Sequence, residues 1–479
     1  MSRFYLPKWF RPLGAMIFAV VLTGCTSVNF DRSVSATNES IPGFTQGKLE
    51  LAQTQEQTDA RKLSAQTLLE RPLGQGEAVQ LALLNSPAMQ ALLAENWAIA
   101  ANAAQTGRLS NPVFMLERMT YPNELELVRM ISFGLLDVLT LPQRYGISKK
   151  QLEQAQTKLT ADVIDEITRV RQAWVRAVFA QQSLIYAKQV NEVAKISAEL
   201  ARRMQSVGNF TKIQRARQQA FYADAATQLA IAEHAVTATK ESLVRSLGLN
   251  IEQVQSLKLP DRLPTLPKSP LSPVEVSKSV STNRIDIKLA QVALEVALKK
   301  QGLNNITSFT DIELGLRNKN VYDNDVGSNT PGRGYEVSIK LPVFDWGDMQ
   351  RDAMSAQTLA AINRLESAYR ITESNLRESY SAYRTNYDIA KHYRQEVVPL
   401  RKVISEENVL RYNGMMIGVF ELLADAKDMV NSVMMSINAD QQFWLADAAL
   451  QATLLGRPTS PLSDGMKVST TGGTSDAGH

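Results

Sequence analysis

Glu421, Asp425 and Asp428 are spaced four and three residues apart, so on a helix they fall on one face. Repeated by symmetry around an opening, such carboxylates make a negative ring that attracts cations and binds multivalent ones. On a helix facing water the same three make a solvated outer face, and the spacing is compatible with both readings. No catalytic set accompanies them. His234, His392 and His479 are scattered, without the His/Cys/Asp/Glu spacing of a metal centre. No Gly-rich phosphate loop precedes a helix, and Gly-x-Ser-x-Gly does not occur. The pairs Met415-Met416 and Met434-Met435 carry soft thioethers, a side chain that more often fills apolar gaps. The expectation is a protein that is not an enzyme and holds neither metal nor cofactor.

Cys25 is the one cysteine, so no intrachain disulfide can form and stability must come from packing. Arg3, Lys8 and Arg11 precede an apolar run, Leu13 to Leu22, the pattern of a signal sequence over residues 1–24. That run is shorter than the roughly 20 apolar residues a membrane-spanning helix needs. Leu22-Thr23-Gly24-Cys25 resembles a bacterial lipobox, in which the cysteine is lipidated and becomes the mature N-terminus, so the expected modification is a covalent lipid on Cys25. The alternative is an ordinary buried thiol. Thr26, where an Asp would hold a lipoprotein at the inner membrane, permits the outer one. Loss of the signal lowers the net charge from +4 to about +1. Nothing in that balance suggests a nucleic-acid partner, which requires a basic excess on one face.

The elements that position these residues occur twice. Leu141-Pro142-Gln143-Arg144-Tyr145-Gly146 and Leu341-Pro342-Val343-Phe344-Asp345-Trp346-Gly347 each end a strand-like run and open a long helical one. Around them the order is helix (Gly76 to Leu109), strand pair (Asn111 to Leu141) and two long helices meeting near Gly208 and Asn209. It then repeats as helix (about Pro273 to Leu303), strand pair (Phe309 to Val343) and long helices meeting near Asn413-Gly414. The repeats run over 73–247 and 273–456. A Pro-rich linker over 248–272, unable to form a continuous helix, joins them. Residues 25–72 read as a weakly patterned polar arm, and 457–479 as a tail too poor in apolar residues to fold.

Leu152, Leu159, Val163, Ile167, Val170, Trp174 and Val178 recur at coiled-coil spacing. A helix over Ile147 to Val207 would span roughly 90 Å, so it projects from a body or lines a tube. Tyr369, Tyr380, Tyr383, Tyr387 and Tyr393 add aromatics at near-helical spacing, for packing between helices rather than ligand stacking. In the strands, Tyr335, Val337, Ile339, Leu341 and Val343 alternate with polar residues, as do Ile312, Leu314 and Leu316. In the first repeat, Leu125, Leu127, Ile131, Phe133 and Leu135 give a similar face that Arg129 interrupts. Alternation fits a soluble sheet on a core and equally a transmembrane barrel. In lipid, four strands cannot close, since barrels need about eight or more and an open edge is not viable there. The strands must then be shared: two chains make a minimal filled barrel, three a wider one compatible with a conduit.

Gly76-Glu77-Ala78-Val79-Gln80-Leu81-Ala82-Leu83-Leu84-Asn85-Ser86-Pro87 resembles the opening helix of the TolC-type outer-membrane factor family, in its lipoprotein branch. Leu341 to Gly347 with Arg351 resembles that family's entry from last strand to tunnel helix. Leu410-Arg411-Tyr412-Asn413-Gly414 with Glu421-Leu422-Leu423 and Asp425-Ala426 resembles its periplasmic tip, and Val207-Gly208-Asn209-Phe210-Thr211 the counterpart in the first copy. The chain departs from the family at Ala424, which separates Leu423 from Asp425, and at Asn283-Arg284-Ile285-Asp286, which lacks an Arg-Pro-Asp. The resemblance implies a mainly α fold of duplicated long-helix hairpins forming a coiled-coil α-barrel. Four strands per chain would contribute to a trimeric twelve-stranded transmembrane β-barrel. It further implies a homotrimer, a periplasmic adaptor docked at Gly208, Asn209 and Gly414, and an inner-membrane pump behind it. A candidate gate falls at Glu421, Asp425 and Asp428, and strand-to-helix junctions at Pro142, Gly146, Pro342 and Gly347. The expected function is a passive duct in the outer membrane of a Gram-negative bacterium. The rival is a structural or adaptor-type periplasmic coiled-coil lipoprotein without a channel, which would carry one helical hairpin between β-rich domains rather than two hairpins each preceded by strands.

Overall fold

The computed structural model describes residues 29–41, 43–279, 284–323 and 325–459. The signal segment with Cys25 and Thr26, Asn283, and the tail beyond residue 459 with His479 lie outside the described residues. The described residues form two compact units. One comprises Ala94–Leu159 and Ile287–Tyr369 with residues up to Ser33; the other comprises Val34–Leu93, Thr160–Asp286 and residues from Arg370 onward.

Both repeats run helices, strand pair, long helical hairpin. After α1 (Phe30–Ser40) and α2 (Gln55–Leu69), the first repeat has α3 (Gln75–Asn85), α4 (Pro87–Thr106), β1 (Val113–Thr120), β2 (Glu124–Gly134), the single-turn α5 (Leu135–Leu139), α6 (Leu141–Ser206) and α7 (Lys212–Leu247). The short α8 (Ile251–Ser256) and an irregular segment follow. The second repeat has α9 (Pro273–Ser279), α10 (Ile285–Thr307), β3 (Ile312–Asp323), β4 (Ser328–Ile339), α11 (Asp348–His392), a π-helical turn (Tyr393–Val397), α12 (Val398–Asn413) and α13 (Val419–Leu454).

Several elements differ from the sequence reading, each for a local reason. The first repeat's opening helix is two, because Pro87 holds Ser86 in an extended conformation (φ −68°, ψ 118°). The polar arm is folded. Thr54 caps α2 in a reciprocal box with Gln57, Asn38 bonds both backbone groups of Leu49, and Phe30, Val34, Leu49 and Leu69 are buried. Apolar residues too sparse for a clear period still supply that packing. In the second hairpin, Pro399 has no amide to continue the i→i−4 ladder, and the helix widens to a π turn just before it.

The apolar seam of α6 packs as its spacing predicts: Leu159, Val163, Ile167, Val170, Trp174 and Val178 are all at most 2% exposed. Trp174 also donates from Nε1 to the Leu73 carbonyl at 2.7 Å, so the indole pins the chain entering the first repeat. Tyr383 and Tyr387 pack around Phe443, with ring centroids at 5.4 and 5.7 Å. The phenol groups of the second repeat then hold the Pro-rich linker. Tyr387 donates to the carbonyls of Pro267 and Lys268, Tyr380 to that of Leu271, and Tyr383 accepts from the Leu271 amide. Prolines remove donors and leave carbonyls, and those carbonyls are what the tyrosines satisfy.

The four strands form one antiparallel sheet in the order β1-β2-β3-β4. Its middle pairing, β2 with β3, joins the two repeats from Glu124↔Asp323 to Gly134↔Glu313. Strands β1 and β4 are its edges.

Candidate functional site

Cross-strand partners share a face, so the register separates the sheet's side chains into two sets. One face carries the row Phe114–Ile131–Leu316–Tyr335 and the row Phe133–Leu314–Val337; Phe114, Leu316 and Tyr335 are 61, 61 and 79% exposed. The opposite face carries all the acidic residues of the sheet among Val113, Met115, Val128 and Met130, and is ion-paired: Lys319 binds Glu126, and Arg317 lies 3.8 Å from Glu336. An exposed apolar face on one side and a charged face on the other is the polarity of a barrel wall with lipid outside and water within.

The two junctions, alike in sequence, are built differently. In the first, Pro142 sits in the opening turn of α6, where its missing amide costs nothing, and Arg144 bonds back to the Thr140 carbonyl at 3.0 Å. Gly146 therefore lies inside the helix and does not start it. In the second, β4 stops at Ile339 because Pro342 cannot donate to a ladder. Leu341 and Val343, expected to extend the strand, are instead exposed beyond it. Asp345 Oδ1 accepts from the Gly347 amide at 2.8 Å, Gly347 turns at φ +71°, and Arg351 stacks 4.4 Å over Phe309 while donating to the Trp346 carbonyl and Ser308 Oγ. Phe344 is fully exposed.

The helix-to-helix turns are also unequal. Gly208 takes the left-handed conformation (φ +83°). Its amide reaches the Gln205 carbonyl and that of Asn209 reaches Met204, the paired bonds of a Schellman end. Thr211 and Gln214 then cap α7 reciprocally. At the second turn the left-handed residue is Met415 (φ +57°), not Gly414, whose φ is −78°. Met415 bonds to Tyr412 and Met416 to Arg411, so the helix runs one residue further than its glycine suggests. The left-handed position then falls on a residue for which it costs about 1–2 kcal/mol. Met415 is 93% exposed. The two turns meet through Phe210 and Phe420, whose ring centroids are 4.5 Å apart. Phe420 had no signal beyond its apolar type, since its partner lies more than 200 residues away.

Just beyond Phe420, the three carboxylates share a helix but not an environment. Glu421 is exposed. Asp425 is 8% exposed and its Oδ2 has no hydrogen-bond partner among the described residues. Asp428 accepts from Arg401 at 3.2 Å. Of the histidines, His234 is exposed and His392 Nδ1 lies 3.1 Å from Glu396.

A buried polar network that the sequence reading did not single out lies in the unit containing the seam. Arg171, 4% exposed within an apolar helix face, donates to Gln451 Oε1 at 2.5 Å and the Phe44 carbonyl at 2.8 Å, and stacks 4.3 Å over the Phe44 ring. Gln451 Nε2 in turn donates to Asp447 Oδ2 at 2.7 Å. Burial pushes the Asp447 carboxyl up to about 6, against the pull of Arg171. From its ordinary value near 4 up to about 6, the folded chain therefore binds more of this proton than the unfolded chain does. The associated stability is complete below that window and is lost as pH rises through it. The melting temperature of Asp447→Asn relative to wild type is expected to rise between about pH 4 and pH 6 and level off above. A constant offset across the window in calorimetry would show that Asp447 titrates as an exposed carboxylate.

No protein-family model and no curated protein matches the sequence. The fold, however, matches solved structures over most of both chains. A membrane protein from Pseudomonas aeruginosa aligns with TM-score 0.65 and 16% identity, covering 81% of this chain and 93% of that one. The outer membrane protein VceC from Vibrio cholerae aligns at 0.63 and 16%, covering 82% and 96%. The CmeC outer membrane channel of Campylobacter jejuni aligns at 0.64 and 14%, covering 86% and 91%. At such identity the likeness is one of fold, and this chain has the fold of TolC-type outer-membrane channels.

Proposed function

We propose that the chain is the outer-membrane component of a tripartite efflux or export system, a passive homotrimeric duct. The observation that carries this reading is the sheet. It has an exposed apolar face, an ion-paired polar face and two open edges, attached to two long helical hairpins. Open edges are not viable in lipid, and three copies would give twelve strands, enough to close a barrel with an aqueous lumen. None of the described helices is long and apolar enough to cross a membrane, so in this reading insertion belongs to the strands.

The helices would extend into the periplasm. The turns at Gly208, Asn209 and Gly414 would then dock a periplasmic adaptor joined to an inner-membrane pump, which supplies the energy. Cys25 would carry the lipid that anchors the chain in the inner leaflet. Labelled fatty acid is expected to enter the wild type and not Cys25→Ser, and equal labelling of both would remove the anchor.

The gate is assigned to Glu421, Asp425 and Asp428. Glu421 and Asp428 are exposed, as a lumen position requires, whereas Asp425 is buried within its own chain. Full-length protein is expected to have a native mass of three copies, to conduct ions in a planar bilayer, and to be blocked by trivalent cations. Glu421→Ala with Asp425→Ala is expected to weaken that block and shift selectivity away from cations. A trimer that never conducts would overturn the duct, and unchanged block in the double variant would return these carboxylates to a solvated face.

A further inference from the structure

Charge on the sheet is segregated by face. The polar face holds Glu117, Glu124, Glu126, Glu313, Asp323 and Glu336, with Arg317 and Lys319 paired among them. The apolar face holds no acidic residue. Its charged residues are Arg118, Arg129 and Arg333, and none of the three is in an ion pair among the described residues. All three are exposed. Arg129 and Arg333 flank Asn318 in one cross-strand row, so two strand spacings, roughly 10 Å, separate their backbones. Arg118 is the diagonal neighbour of Arg129 across the β1–β2 pair, at roughly 7–8 Å.

This row divides the face. From it toward the helices every residue of the face is apolar or aromatic. Toward the hairpin turns the face is mixed, with Arg118, Thr120, Asn320 and Asn329 standing among Leu125, Leu127, Tyr322 and Pro331. Arg333 stands six residues before the end of β4 at Ile339, roughly 20 Å of strand. At a barrel tilt of 35–45° this gives an apolar height of roughly 15 Å, short of the roughly 25 Å band of an outer-membrane barrel. The exposed Leu341, Val343 and Phe344 just past the strand supply apolar surface for the remainder. The arginines therefore stand where the continuous apolar part of the face ends and a mixed margin of polar, apolar and aromatic residues begins, the composition suited to the passage from acyl chains to head groups.

We infer that Arg118, Arg129 and Arg333 form a binding site for a phosphorylated glycolipid of the outer leaflet, of the lipid A type. This rests on the duct reading, which places the hairpin turns outward. The chemistry selects the ligand. Guanidinium groups match phosphate oxygens bidentately, the amides of Asn318 and Asn320 suit sugar hydroxyl and amide groups, and the apolar rows below accept acyl chains. A face exposed to water would have no reason to exclude carboxylates, whereas a face against a phosphorylated leaflet must.

The test uses full-length protein in detergent, incubated with bisphosphorylated lipid A and examined by native mass spectrometry. Comparison ligands are the same lipid without its phosphates, phosphatidylethanolamine, and inorganic phosphate as competitor. Wild type is expected to retain the bisphosphorylated lipid over the dephosphorylated one. Arg129→Gln with Arg333→Gln is expected to lose roughly tenfold in retention, and Arg317→Gln with Lys319→Gln, on the opposite face of the same strands, to lose none. Equal retention by the Arg129/Arg333 variant, equal retention of the dephosphorylated lipid or of phosphatidylethanolamine, displacement by inorganic phosphate, or loss confined to the opposite-face variant would each overturn the site. Conductance of the same preparations separates the two readings. A conducting trimer that does not discriminate the lipids refutes the site and leaves the duct, and lipid selectivity without conductance does the reverse.

Discussion

Gly347→Ala is expected to lower the melting temperature sharply. Gly347 turns at φ +71°, and a Cβ there would stand 2.5 Å from the Ser308 carbonyl oxygen and 2.9 Å from Ser308 Cβ. The obstacle is backbone, which cannot swing aside. The left-handed conformation alone costs an L-residue about 1–2 kcal/mol, and displacing the Ser308 segment brings the expected loss to roughly 3 kcal/mol or more. That segment also presents Phe309 and Ser308 to Arg351, so the shift would loosen the passage from β4 into α11.

The first junction gives the opposite expectation. Gly146 is inside α6, and an added Cβ would meet only Lys299 Nζ at 3.7 Å. Gly146→Ala is therefore expected to stabilise by about 0.5–1 kcal/mol through helix propensity. Calorimetry of the two variants side by side decides between two structural roles and one shared role. A wild-type melt for Gly347→Ala, or equal losses for both, would show that the junctions work alike.

That contrast shows what the sequence discloses and where it stops. Period and order carry the architecture. The seam from Leu159 to Val178 is buried as its spacing requires, and the alternation through Leu314, Leu316, Tyr335 and Val337 places those residues on one face of the sheet. Residue type at a turn is a weaker guide. Gly146 looked like a helix start, but Pro142, which already suits a first turn, starts the helix before it. Asn413-Gly414 marks the second turn in the sequence, but the carbonyls of Arg411 and Tyr412 capture the amides of Met416 and Met415, and the left-handed position falls on Met415.

Long-range polar partners leave no local mark. Arg171 stands at a position flanked by Val170 and Trp174, and its function as a buried donor depends on Phe44 and Gln451, which lie far from it in the chain. Tyr380, Tyr383, Tyr387 and Tyr393 pack between helices as their spacing suggests while Tyr369 is exposed, and the hydroxyl bonds of Tyr380 and Tyr387 to the linker depend on carbonyls that the prolines leave open. Among the candidate gate residues, the helical spacing holds but the environments diverge, because Arg401 engages the exposed Asp428 while Asp425 is buried within its own chain.

The second large effect concerns the turn at the far end of the hairpins. Phe210 is 7% exposed and lies 4.5 Å, centroid to centroid, from Phe420. The surrounding surface is open: Val207, Ile213, Leu410, Met415 and Met416 are 65 to 93% exposed. Truncating a buried Phe to Ala costs about 3–5 kcal/mol, of which a tilted aromatic pair accounts for about 0.5–1.5 kcal/mol beyond its area. The turns are small and open locally, so the loss should appear there rather than in global unfolding. Phe210→Ala is expected to raise amide exchange at least a hundredfold over residues 204–214 and also over 412–424, although the second stretch is untouched in sequence. Phe420→Ala is expected to do the same, and the double variant to add little, since each single change already removes the pair. If the turns dock an adaptor, crosslinkers at Ser206 and Met415 should capture it from the wild type and lose it in either variant. Exchange confined to the mutated turn, or losses that simply add, would mean the two turns are held independently and that Phe210 anchors only its own.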